Sequence, residues 1–355
     1  MWFTESSHNP FLPCAVAAEV APGLGVGTSI AVAFPRSPMV TAQVAWDLAE
    51  QTDGNFQLGL GTQVKAHITR RFSTTWSKPV AQLREYVEAL RAIFQAFQGE
   101  APLRFSGDYY SFSLLTDFFS GGPIDHPDVP VQVAGVNTGL ARMAGAVCDG
   151  FHVHPFHSRE YLADVIRPAV ADGAARAGRS VDDVAMICPV FIAVGDTEEE
   201  LARQREAVRS QLSFYASTPT YQSVLDHHGF TEAGPELQQL VRKGDRRAMA
   251  AVMPRSAFWI RRSPAIVRAE AATSALSSSS QSRSPPAENA RPFPVRTTSL
   301  TSSSTSASTN SVSSSRCTGR LMALSCSGRL NVAVRTGPSR STSIASYFAK
   351  STMIQ

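Results

Sequence analysis

The first 253 residues of this 355-residue chain predict a parallel β/α fold, because strand and helix signals alternate along them. Three stretches carry that expectation. VPVQVAGVNTGLARMAGAVCDGFHVHP (129–155) opens on alternating Val129, Val131 and Val133, turns through Gly135 and Gly139, enters the helical LARMAGAV, and ends on a second apolar strand over 151–153. The run LGVGTSIAVAF (24–34) is almost continuously apolar, as suits a strand buried on both faces. Over 79–98, Val80, Leu83, Val87, Leu90, Phe94 and Phe97 fall on one stripe at helical spacing, with Arg84, Glu85, Glu88 and Arg91 elsewhere.

In chain order, a short strand comes at the extreme N-terminus, then the 24–34 strand and a helix over 38–52. FQLGLGT (56–62) is the next strand, with Phe56, Leu58 and Leu60 on one side and the small Gly59 and Gly61 on the other. The 79–98 helix and the 129–155 unit follow. A helix is expected over 158–177 and a buried strand over 184–194. TEEE (197–200) has the form of a capping box opening a helix that runs to about residue 215. Loops 99–128 and 213–250 show no assignable roles. Six strands result. A closed (β/α)8 barrel needs eight, whereas an open doubly wound sheet is satisfied by six, and periodicity does not separate the two.

The net charge of +4 hides a split. Residues 1–254 hold 20 Lys+Arg and 27 Asp+Glu, net −7, while residues 255–355 hold 13 and 2, net +11. The basic balance therefore belongs to the tail and says nothing about what the first part binds. Between 274 and 346 there are 23 serines, with threonine, arginine and proline filling much of the rest and no apolar period, so 254–355 is expected to be a disordered Ser/Arg-rich tail. Arginine among serines suits RNA, but Phe293, Tyr347 and Phe348 are the only aromatics after Ser274, and no nucleic-acid partner is expected. Cysteines 14, 148, 188, 317 and 326 make neither a metal spacing nor a disulfide pattern, which fits a reducing cytoplasm. No run approaches a membrane span, and MWFTESSHNP lacks the basic start and apolar core of a signal peptide. The expectation is a soluble cytoplasmic protein without a membrane partner.

Four segments in order resemble the bacterial luciferase-like flavin enzymes, and most closely their branch that uses the deazaflavin coenzyme F-420. They are LGVGTSIAVAFPRSP (24–38), LGLGT (58–62), HITRRFSTTWSKP (67–79) leading into REYVEALRAIF, and VAGVNTGLARMAGAVCDGFHVHPF (133–156). The resemblance implies a (β/α)8 TIM-barrel of the luciferase-like type over 1–253. It also implies hydride transfer between F-420 and a small organic substrate. An FMN-dependent monooxygenase is the alternative, and homodimers are common in the family. Such relatives carry a strand and helix ahead of MWFTESSHNP, and another pair where this chain turns serine-rich. The barrel is therefore expected to be incomplete, with two open edges, the tail to be read out of frame after about codon 253, and the start site to be misplaced. A non-catalytic, truncated or frameshifted member of the family is the alternative to an enzyme.

Ligands of β/α barrels sit at the C-terminal ends of strands, where four clusters fall. In the first, Glu5, His8, Asn9 and Phe11, a histidine beside a carboxylate suits acid–base work, and the resemblance sets a histidine here beside the reactive ring carbon. A solvated loop histidine is the plain alternative. The second is Ser29 and Ile30 with Ala31 and Ala33, small residues that an ordinary core strand also explains. The resemblance implies a backbone bulge here, often a non-prolyl cis bond, backing the cofactor ring. The third is Thr62, Gln63, Lys65, His67 and Arg70. No acid lies between Thr62 and Glu85, so the proton-donating glutamate of some relatives is missing. Gln63 suits a hydrogen bond to ring or substrate, and Lys65 and Arg70 suit an anionic substrate or, with Arg71, the acidic tail of F-420; a solvated charged loop is the plain alternative. The fourth is the turn Ala134, Gly135, Asn137, Thr138 and Gly139, a phosphate site made of helix-start N–H groups, with His154 and Pro155 at the next strand end. His152 and His154 alternate to one side of their strand, but no third ligand is evident and no metal is expected. Glu5, His8 and Gln63 are the candidate catalytic residues; Ser29, Ile30, Thr62, Lys65 and the fourth cluster are candidates for holding cofactor.

Overall fold

A computed structural model describes residues 1–253. In chain order its strands are β1 (Trp2–Phe3), β2 (Val26–Thr28), β3 (Ala31–Val32), β4 (Phe56–Gly61), a small hairpin of β5 (Phe105–Ser106) and β6 (Ser111–Phe112), then β7 (Val131–Gly135), β8 (Gly150–Val153) and β9 (Ala185–Ile187). The main sheet runs β1–β2–β4–β7–β8–β9, with β3 on the C-terminal half of β4, and every neighbouring pair is parallel. It curls into the wall of a β/α barrel. Helices α1 (Phe11–Val20), α2 (Pro38–Gln51), α3 (Lys65–Arg70), α4 (Pro79–Phe97), α5 (Thr138–Val147), α6 (Arg159–Tyr161) and α7 (Arg167–Arg176) join the strands. A helical segment follows: α8 (Glu198–Ala216), α9 (Gln222–His227), α10 (Ala233–Lys243) and α11 (Arg246–Val252). No described helix is long and apolar enough to cross a membrane. The expectations for 254–355 lie outside the described residues.

The core forms between sheet and helices. Leu58, Leu60, Val131, Val133 and Phe151 from the strands are wholly buried with Trp46, Leu83, Tyr86, Leu90 and Ile93 from α2 and α4. Each such side chain contributes roughly 2 kcal/mol by leaving water. Val80 departs from the expected α4 stripe. It sits in the helix's first turn and is 37% exposed.

The 24–34 run is not one strand. It breaks between β2, which pairs with the start of β4, and β3, which pairs with its end; the Ser29–Ile30 peptide between them is cis. Thr28 bridges the break: its Oγ1 donates to Gly59 O at 2.7 Å and accepts from Gly59 N at 3.0 Å. A Cβ on Gly59 would lie 2.0 Å from Thr28 O, so this approach requires glycine.

Three further expectations are corrected. The 158–177 helix contains a π turn over Leu162–Ile166, because Pro168 has no N–H to give the carbonyl four residues back. The 184–194 strand shrinks to β9. Pro189 cannot continue the ladder, and Val190, Phe191 and Val194 are exposed. Thr197 caps α8 by accepting from Glu200 N, but the Glu200 carboxylate reaches Asp196 N and leaves Thr197 N alone, so the box is half formed.

Candidate functional site

Because the strands are parallel, the loops after β1, β3, β4, β7 and β8 leave the sheet at one rim. Glu5 lies in the first of these loops. Its Oε2 accepts from Val32 N at 2.7 Å and from Arg36 Nη1 at 2.8 Å, and its Oε1 accepts from Arg36 Nη2 at 2.8 Å. Glu5 N donates to Ile30 O at 3.1 Å. With both oxygens engaged and the side chain buried, Glu5 ties the first loop to the Ser29–Ile30 turn. Its carboxylate thus serves as the anchor of that turn. His8, half-buried, stands three residues further along the same loop.

Ser29 and Ile30 form the interruption between β2 and β3, where the resemblance implies a bulge. Ile30 lies on Gly61, where a Cβ would come within 2.6 Å of Ile30 Cδ1. Beyond β4, Gln63 takes a left-handed backbone with φ of 56°, and its Oε1 accepts from Val64 N at 3.0 Å. Thr62 Oγ1 donates to Gln63 O at 3.1 Å. A non-glycine residue in that region is uncommon, and such residues gather at ligand sites. Lys65 and Arg70 are exposed on α3, while the Arg71 guanidinium donates to Ser6 O and joins this loop to the first.

At the β7–α5 turn, a Cβ on Gly135 would meet Leu140 Cβ at 2.8 Å, so this glycine lets α5 close on β7. Gly139 faces outward to a groove between α4, α5 and α7 that Lys78, Arg84, Arg142 and Arg176 also line. Asn137 and Thr138 line a different cavity of about 550 Å³, with Tyr161, Ser223 and His227. Asn137 holds the N-cap position of α5 yet makes no side-chain bond to its first turn. Its amide instead donates to Thr220 O and accepts from Ser223 Oγ, both at 3.0 Å. Ala134 and Pro155 are half-buried beside this turn.

His154 N donates to Gly135 O at 3.3 Å, and the ring packs edge-on against Tyr215 at 4.7 Å and tilted against Tyr221 at 4.5 Å. Burial, helped by His157, pushes His154 down to about 3. His152 has different neighbours, Gln132 and Ser29, and burial pushes it down to about 4. The two rings thus share no partner. Among the described residues no group of three or more His, Cys, Asp or Glu side chains is placed to hold a metal ion.

Several residues here were not singled out from the sequence. Arg36, closing an apolar strand in FPRSP, and Gln132, polar among valines, both carry a legible signal: a polar group in an apolar run needs a partner. Thr220, Tyr221 and Ser223 carry none, because their contact with Asn137 is made only by the folding of a distant helical segment.

Residues 1–262 match the luciferase-like monooxygenase family. The chain belongs to that family. This luciferase-like protein is 42% identical over 252 residues to an uncharacterized protein of Mycobacterium tuberculosis, a match covering 71% of this chain and 74% of that one. It is 32% identical over 224 residues to the F-420-dependent glucose-6-phosphate dehydrogenase of Nocardia farcinica, covering 61% and 63% respectively. In fold it is similar to the coenzyme F-420-dependent tetrahydromethanopterin reductase of Methanopyrus kandleri, with a TM-score of 0.59, 19% identity, and coverage of 71% of this chain and 74% of that one. The architecture is the luciferase-like TIM-barrel type, which periodicity alone left open.

Proposed function

We propose that the chain is an oxidoreductase that uses coenzyme F-420 to move a hydride to or from a small organic substrate. The observation that carries this reading is the open start of α5. Its first-turn N–H groups receive no side-chain cap, because the Asn137 amide is drawn away to Thr220 and Ser223. Uncapped amides at the positive end of a ten-residue helix suit a phosphate. The residues present fit a phosphate-bearing, acid-tailed cofactor in a second way. Lys65 and Arg70 stand exposed at the neighbouring loop, and no acid lies between Thr62 and Glu85 to oppose them. Relatives named as F-420-dependent, such as the Nocardia farcinica dehydrogenase, support the same choice over FMN.

When bound, the deazaflavin supplies a carbon that gives or takes a hydride. The protein's share is binding and orientation. The amides of Thr138 and Gly139 hold phosphate, Lys65 and Arg70 hold the acidic tail, and Ser29 and Ile30 back the ring. Ala134, Thr62, His154 and Pro155 bound it, Gln63 meets the ring edge or substrate, and His8 carries a proton. The experiment is a fluorescence titration of the purified chain with F-420 and, separately, FMN. Saturable F-420 binding about tenfold tighter than FMN, a difference of about 1.4 kcal/mol, is expected. FMN preference moves the reading to a monooxygenase, and binding of neither overturns it.

A further inference from the structure

A row of polar side chains crosses the inside of the sheet beneath Ser29, where a barrel of this kind is otherwise filled by apolar layers. Gln132 Nε2 donates to Gln57 Oε1 at 2.8 Å. Gln132 Oε1 then faces His152 Nε2 at 2.7 Å, and His152 Nδ1 faces Ser29 Oγ at 3.2 Å. The His152 ring is 2% exposed and stands edge-on to Trp2 at 4.8 Å. It reaches across β4 only because residue 59 is glycine, where a Cβ would lie 2.8 Å from His152 Nε2.

The direction of each bond follows from the one before it. With its amide nitrogen given to Gln57, Gln132 offers His152 an oxygen, so His152 must carry its proton on Nε2. Burial keeps the ring neutral, so Nδ1 is left with a lone pair and can only accept. Ser29 Oγ–H is then the donor to Nδ1, and the hydroxyl has only lone pairs left for anything above it.

We infer that Gln57, Gln132 and His152 are a positioning relay that fixes Ser29 as a pure hydrogen-bond acceptor toward the cleft, so that a ligand must present a donor to it, such as a ring N–H or a hydroxyl. This rests on the cofactor reading only for the identity of the ligand. The bond directions can be tested without one. NMR of the chain carrying ring-nitrogen-labelled histidine, with His152 assigned by its loss in His152→Phe, is expected to show the neutral Nε2–H tautomer at neutral pH. Gln132→Met is expected to release that tautomer into a mixture. In F-420 titrations Ser29→Ala should weaken binding about tenfold, the loss of one hydrogen bond. An Nδ1–H tautomer or an imidazolium in the parent chain overturns the relay. The Nε2–H tautomer with unchanged F-420 affinity in Ser29→Ala overturns Ser29 as the acceptor. If the parent chain binds no F-420, the cofactor reading falls by itself, and the tautomer still decides the relay.

Discussion

Glu5 earns its burial through three hydrogen bonds, two from Arg36 and one from Val32 N, and together they fasten the loop after β1 to the far side of the β2–β3 interruption. Removing the carboxylate leaves a guanidinium that is 17% exposed with only Val32 O to accept from it, and a buried N–H without an acceptor. Glu5→Ala should therefore cost about 3 kcal/mol in urea unfolding, toward the low end for a broken buried pair because Arg36 keeps some water. A loss below about 1 kcal/mol would mean that the pair is solvated and that Glu5 is free for other work. The sequence pointed to Glu5 as an acid–base candidate because a carboxylate near a histidine invites that reading. Its hydrogen-bond partner Arg36 lies 31 residues away, and only the parallel pairing of β1 beside β2 brings the two together.

At the scale of elements, α5 and α7 pack backbone against backbone. A Cβ on Gly173 would lie 1.8 Å from Arg142 O, and one on Gly145 would lie 2.0 Å from Val170 O. Two helix backbones meet at these glycines with nothing between them. Gly173→Ala must push them apart and should cost about 2 kcal/mol, read as a lower urea midpoint. Gly139→Ala on α5 is the control: its Cβ would meet only Val80 Cγ2 at 3.6 Å, an ordinary contact, and the midpoint should hold. The helices α2, α4, α5 and α8 were legible in the sequence, α4 most clearly from its apolar stripe, whereas α1, α3 and the helices α9 to α11 within a stretch read as loop were not. The break in the 24–34 run was not legible from hydrophobicity. Thr28, Ser29 and Ile30 are as apolar or small as a continuous strand requires, and what breaks the strand is a close approach to Gly59 from another strand. The resemblance alone pointed there.

For the whole molecule, acid is the informative variable. His152 and His154 titrate near 4 and 3 in the fold, chiefly because burial disfavours their charged forms. In the unfolded chain both take up a proton near 6.5. Between about 4 and 6.5 the unfolded state therefore binds more protons, and stability must fall as pH falls through that window. Urea midpoints measured from pH 7 to pH 4 should decline well before the carboxylates titrate; a flat profile down to pH 5 would mean that water reaches these rings. The histidines were visible in DGFHVHP, but their environment was not. It is set by Gln132 on the next strand and by Tyr215 and Tyr221 from the helical segment that closes over the rim. That segment is moored to the β7–α5 turn by two hydrogen bonds at Asn137 and by rings against His154. Tyr161 Oη and Ser223 Oγ at 3.0 Å, Ser158 Oγ and His228 Nε2 at 2.7 Å, and the buried Val224, Leu225 and Leu237 tie it to the same core. Amide exchange along 222–252 should therefore track that of α5 and α7, and markedly faster exchange there would mean that the segment opens by itself.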